Sequence, residues 1–105
     1  MIKRNIDIPE KQLAHFCQRW QIDELALFGS VLRDDFDPDS DLDILVTFAP
    51  EAEWSLLDHV RMEQELASVF GRNIDLLSKR AVEQSHNPRR RQEIFTTAEV
   101  IYVSR

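Results

Sequence analysis

Cysteine occurs once in these 105 residues, glycine twice, and no long apolar run occurs anywhere. A lone thiol, Cys17, cannot close an internal disulfide, so a reducing cytoplasm is the expected setting. No stretch approaches the roughly 18 apolar residues of a membrane span. The opening Met-Ile-Lys-Arg-Asn-Ile-Asp-Ile-Pro lacks the apolar core of a signal peptide. Scarce glycine beside 43% hydrophobic residues describes a folded chain and not a disordered tail. At this length a single domain, residues 1–105, is expected.

Basic residues are scarce in one half. From Asp23 to Asp58 eleven acids face one base, Arg33, whereas from Lys79 onward six bases face three acids. The acidic half argues against nonspecific binding to nucleic-acid backbones, which needs clustered cations. It favours binding cations instead. The three histidines, His15, His59 and His86, are scattered without metal-ligand spacing and read as core-edge or surface residues.

What is present is a regular alternation of elements. Leu13, Phe16, Cys17 and Trp20 recur at helical spacing behind Pro9, which predicts an amphipathic helix over 9–20 with Cys17 packed inside. Asp23–Phe28 reads as a strand ending at Gly29, and Asp35–Ser40 as a polar loop. Leu42–Phe48 is a strand, with Asp41 and Asp43 on the face opposite Leu42, Ile44 and Val46. Both of its faces are otherwise apolar, so a central position is expected.

Ser55 with Asp58 three residues on opens a helix over 56–70 that closes at Gly71. Leu56, Leu57, Val60, Leu66, Ala67 and Phe70 are its expected core side. Asn73–Ser78 makes a third strand, Asn87-Pro88 caps a basic helix running to about Phe95, and Val100–Val103 a last strand. Arg89, Arg90 and Arg91 read first as the solvated side of that helix, with docking to an acidic partner or steering of ATP as the alternative. The whole is an α/β (α+β) unit, a small mixed sheet flanked by helices.

The chemistry concentrates between Gly29 and Asp75. Two aspartates two apart on a strand project from one face, about 7 Å apart at Cα. They suit one metal, or two held about 3.5–4 Å apart. All-oxygen ligation favours Mg²⁺ or Mn²⁺ over zinc. A third carboxylate is needed for two ions, and Asp75 is the candidate, since an unpaired charge among Ile74, Leu76 and Leu77 is costly. Pairing with Arg72 or Arg80 is the bland alternative. Gly29 permits close backbone approach to a phosphate, and Ser30 adds donors.

The string Leu27-Phe28-Gly29-Ser30…Arg33…Ser40-Asp41-Leu42-Asp43-Ile44-Leu45-Val46 resembles the motif of nucleotidyltransferases related to DNA polymerase beta, most closely the minimal nucleotidyltransferase branch. Asn73-Ile74-Asp75-Leu76-Leu77 matches the place of that family's third aspartate. The likeness covers residues 22–78 by motif and the whole chain by length and element order.

It implies a nucleotidyltransferase fold and metal-dependent transfer of a nucleoside monophosphate from an NTP to a hydroxyl. Gly29 and Ser30 would hold the triphosphate; Arg33 would touch nucleotide, a protein partner or only Asp34–Asp37. Asp41, Asp43 and Asp75 would ligate metal, Asp75 also helping to deprotonate the acceptor. Minimal members resemble the antitoxin of a toxin–antitoxin pair whose HEPN-domain toxin receives AMP from ATP on a tyrosine. Steric neutralisation without catalysis and modification of a small molecule are the alternatives.

Overall fold

The computed structural model describes residues 8–29 and 41–104. Helix α1 (Glu10–Arg19) leads into strand β1 (Ile22–Phe28), followed by β2 (Leu42–Phe48), α2 (Leu56–Phe70), β3 (Ile74–Ser78), α3 (Lys79–Glu83), α4 (Pro88–Thr97) and β4 (Glu99–Val103). The four strands form one mixed sheet in the order β3-β2-β1-β4. Neighbours β1–β2 and β1–β4 run antiparallel, and β2–β3 parallel. A parallel pair needs a long crossover, which α2 supplies. Strand β2 lies inside the sheet, as its two apolar faces require.

Local chemistry sets the helix ends where the sequence places them. Ser55 and Asp58 form a reciprocal capping box, and Gly71 closes α2 in the left-handed conformation at φ 70°, its amide donating to the Ala67 carbonyl. The Asn87 side chain accepts from the Arg90 amide at 3.1 Å, and Pro88 occupies the first turn. Helix α3 was not expected. It is five residues long, too short for a periodic pattern, and Ser78 caps it by accepting from the Ala81 amide.

Two apolar layers sandwich the sheet. Under α1 and α2 lies the larger, built from Leu13, Phe16, Cys17, Ile22, Leu25, Leu27, Leu42, Ile44, Val46, Met62, Leu66 and Leu76. Under α3 and α4 lies a smaller one, built from Ala26, Phe28, Leu45, Val82 and Ile94. Cys17 is fully enclosed in the first, and burial pushes its thiol up to about 12, so it packs as a small hydrophobe. Trp54 stacks edge-to-face on Trp20 at 5.0 Å and donates from Nε1 to the Trp20 carbonyl, tying the segment before α2 to the end of α1.

The inner face of α2 differs from the sequence expectation. Met62 and Leu66 are buried, whereas Leu56, Leu57 and Val60 are 81%, 60% and 39% exposed. The reason lies at the sheet edge. Strand β3 is an outer strand, and the Leu76 amide donates to Glu63 Oε2 at 3.0 Å while His59 Nε2 meets the Leu76 carbonyl at 2.9 Å. His59, Met62, Glu63 and Leu66 share one helical stripe, so turning His59 and Glu63 inward to satisfy the edge turns Leu57 and Val60 out, while Leu56, in the first turn, lines the cleft beside β3. Glu63, which looks like an interruption of the apolar stripe, is part of it.

Candidate functional site

Strand register brings the two central carboxylates together. On the β2–β3 ladder Asp43 pairs directly with Asp75, and on the β1–β2 ladder it pairs with Phe28. Alternation puts Asp43 on the same side as Leu45, and Asp75 on the same side as Leu77. Both aspartates therefore project on the α3/α4 side of the sheet, just beyond the smaller apolar layer. The two carboxyls lie within hydrogen-bonding reach of each other.

Asp43 is half-buried, and its carboxyl is pushed up from 3.8 to about 6. Burial is the main cause, followed by the charges of Asp75 and then Asp41, with the hydrogen bond to Asp75 adding to them. Arg90 on α4 acts in the opposite direction. Asp41 stands exposed one residue before β2. Among the described residues no three His, Cys, Asp or Glu side chains converge closely enough to form a ready-made metal cage. A close pair of carboxylates with a third nearby is what the sheet supplies.

Gly29 follows β1 at φ 77°, in the region that favours glycine. A Cβ there would collide with Asp43 Oδ2. Glycine at 29 thus does two things: it lets the chain turn, and it leaves room for the carboxylate. Ser30 and Arg33 lie outside the described residues, so the structure brings together Gly29, Asp41, Asp43 and Asp75 and speaks to neither of the other two.

A surface cleft of about 880 Å³ runs between α2 and the outer edge of β3 along Trp54, Leu56, His59 and Leu76, and none of the candidate acids lines it. The chemistry lies elsewhere. A donor set made only of carboxylate oxygens, with like charges crowded together, suits a hard divalent cation that would cancel the repulsion.

Sequence reasoning missed Arg90 as a neighbour of the acids. Its signal was present: Asn87-Pro88 fixes the phase of α4, and Arg90 stands four residues before Ile94, the buried residue of that helix. Arg91 has a different task, donating to the Glu83 and Ser85 carbonyls at 3.3 Å and so bracing the α3–α4 connection.

Residues 9–102 match the model of the nucleotidyltransferase domain family. The chain belongs to that family. It is 39% identical over 62 residues to the protein adenylyltransferase MntA of Thermococcus cleftensis, covering 59% of this chain and 61% of the relative. Among solved structures, one of a candidate minimal nucleotidyltransferase superposes with TM-score 0.64 and 34% identity, over 90% of this chain and 87% of that one. The same fold recurs in a complex of a tri-AMPylated Shewanella oneidensis HEPN toxin with an MNT antitoxin: TM-score 0.62, 22% identity, 90% of this chain and 70% of the other. This nucleotidyltransferase is thus an enzyme of the adenylyltransferase kind, on a mixed sheet flanked by helices.

Proposed function

We propose that this chain is the antitoxin of a HEPN/MNT-type toxin–antitoxin pair in the cytoplasm, transferring AMP from ATP to a tyrosine hydroxyl of its partner toxin. The observation that carries the reading is the parallel register of Asp43 against Asp75, with Gly29 abutting Asp43. The adenylyltransferase named in Thermococcus cleftensis and the AMPylated toxin in the Shewanella oneidensis complex supply the acceptor class.

In this reading Gly29 and Ser30 seat the triphosphate by backbone amides, with Arg33 beside it. Asp41, Asp43 and Asp75 hold Mg²⁺ or Mn²⁺, which supplies charge neutralisation at the phosphoryl oxygens. Asp75 accepts the proton of the tyrosine hydroxyl. The tyrosine oxygen bonds to the α-phosphorus as the bond to the bridging oxygen breaks, and pyrophosphate leaves with that electron pair.

The test uses the chain co-purified with its partner, supplied with Mg²⁺ and ATP, and reads the intact mass of each polypeptide. The partner is expected to gain AMP increments on tyrosine with the native chain and none with Asp41→Ala/Asp43→Ala. No increment with any nucleoside triphosphate would overturn the reading. Full protection of toxin-expressing cells by the double variant would favour steric docking instead.

A further inference from the structure

We infer that the cleft between α2 and the outer edge of β3 is the docking site of the protein acceptor, which enters it with an amphipathic helix carrying an acidic side chain. The inference rests on the adenylyltransferase reading and deepens it, placing the hold on the protein substrate.

Three large apolar side chains stand exposed on the first half of α2. Leu56 lines the cleft, Val60 is one turn further on, and Leu57 lies beside both, so they form a strip leading out of it. Inside, Phe48, Trp54, Met62 and Leu76 line the wall. At about 880 Å³ the cleft has room for several side chains. A recess and an exposed apolar strip that run together mark a contact surface.

The edge strand decides what can lie there. Leu76 is the middle residue of β3, and both of its outward backbone groups are taken. Glu63 Oε2 accepts from its amide at 3.0 Å, and His59 Nε2 meets its carbonyl at 2.9 Å. A visiting strand finds no free ladder at that point, so strand addition is closed off. A helix needs only pockets for its apolar stripe, and the cleft offers those.

Arg80 supplies the polar end. Its exposed side chain lines the cleft and also a hollow of about 260 Å³ beside Lys79. Among the described residues no carboxylate forms an ion pair with it. The other charged or titratable groups on the wall are Glu53 and His59, and His59 is engaged by Leu76. A guanidinium beside leucine and tryptophan selects a carboxylate flanking an apolar stripe.

Continuity with the catalytic side makes the occupant the acceptor and not a second copy. The cleft wraps the edge of the sheet: Leu76 packs into the layer under α1 and α2, Leu77 into the layer under α3 and α4, and both line it. Asp75 stands two residues before Leu77 on the same face, about 7 Å away at Cα. A helix seated along this edge therefore lies beside the strand that carries Asp75, and the acceptor hydroxyl has a short path to it. Two copies meeting through α2 would instead bring together chains that each carry a net charge of −6.

The experiment takes the partner from its complex with the Asp41→Ala/Asp43→Ala chain, so that it carries no AMP, and measures its binding to the full chain by calorimetry. On that same background Leu56→Asp and Arg80→Glu are each expected to weaken binding at least about tenfold. Gln12→Glu, an equal added charge on the exposed side of α1, should leave it unchanged. Acids suit the first turns of α2 and α3, and melting temperature checks the folding. With Asp41 and Asp43 restored, both variants should raise the KM for the partner and keep kcat and AMP-PNP affinity. Benzoylphenylalanine in place of Leu57 should cross-link to a helical partner segment with an acid beside its apolar stripe. Folded variants that bind the partner as tightly as native overturn the inference, as does a cross-link only to a second copy of this chain. Those results leave the adenylyltransferase reading intact. Partner binding that depends on Leu56 and Arg80, without AMP transfer by the native chain, would sink that reading and leave the docking site standing.

Discussion

The two faces of the sheet are built to different standards. Beneath α1 and α2 twelve buried apolar side chains form a continuous core, with Trp20, Trp54 and Phe70 packed around its margin. Beneath α3 and α4 five of the described residues are buried, and the rows run out into Asp43 and Asp75. One face secures the fold. The other is thinly covered, and that leaves Asp43 half-buried and Asp75 exposed, where they gain chemical leverage without being sealed from solvent. A carboxylate on the thick face would have no route to water, metal or nucleotide.

Breaking the thin face should abolish chemistry first. Asp43→Asn is expected to lower AMP transfer at least about a thousandfold, the scale of several kcal/mol of lost charge stabilisation, with the circular dichroism spectrum unchanged. Breaking the thick face should instead abolish stability. Leu66→Ala, at a fully buried position, is expected to cost about 2–5 kcal/mol in chemical denaturation, and AMP transfer per folded molecule should survive.

Gly29→Ala crosses the comparison. A Cβ at φ 77° is strained and displaces the Asp43 carboxylate, so about 1–2 kcal/mol of stability and most of the activity should go together.

The pH dependence sharpens the same contrast. Because the Asp43 carboxyl is raised in the fold, the native state binds more protons than the unfolded chain between about pH 4 and pH 6. Metal-free stability should therefore fall as pH rises through that window. Asp43→Asn should raise the metal-free melting temperature above pH 6, by the equivalent of about 1 kcal/mol after allowing for solvent screening, and bring no gain below pH 4. Added Mg²⁺ should stabilise the native chain more than the variant. The smallest effect is expected on the outer side of α2, where Leu57→Ser should change stability by less than about 0.5 kcal/mol.

Much of this contrast was legible in the sequence. The alternation Leu42-Asp43-Ile44-Leu45-Val46 predicts a central strand with an aspartate on the side away from Ile44, and the structure has both. The caps at Ser55, Gly71 and Asn87 mark helix ends correctly because capping is local chemistry. What escaped depends on contacts between distant segments. The direct pairing of Asp43 with Asp75 is a matter of register across a crossover. The phase of α2 is set by an edge strand that needs His59 and Glu63, a demand no apolar pattern records. Arg90 reads as a solvated charge until the sheet beneath it is known.

The most direct test of the account follows a label placed on the α-phosphorus of ATP, with Asp75→Asn compared to the native chain in complex with its partner. The native chain should deliver the label to the partner in a reaction that chelator stops, and Asp75→Asn should bind the partner normally yet leave it unlabelled. Labelling by Asp75→Asn at the native rate would contradict the paired-carboxylate site.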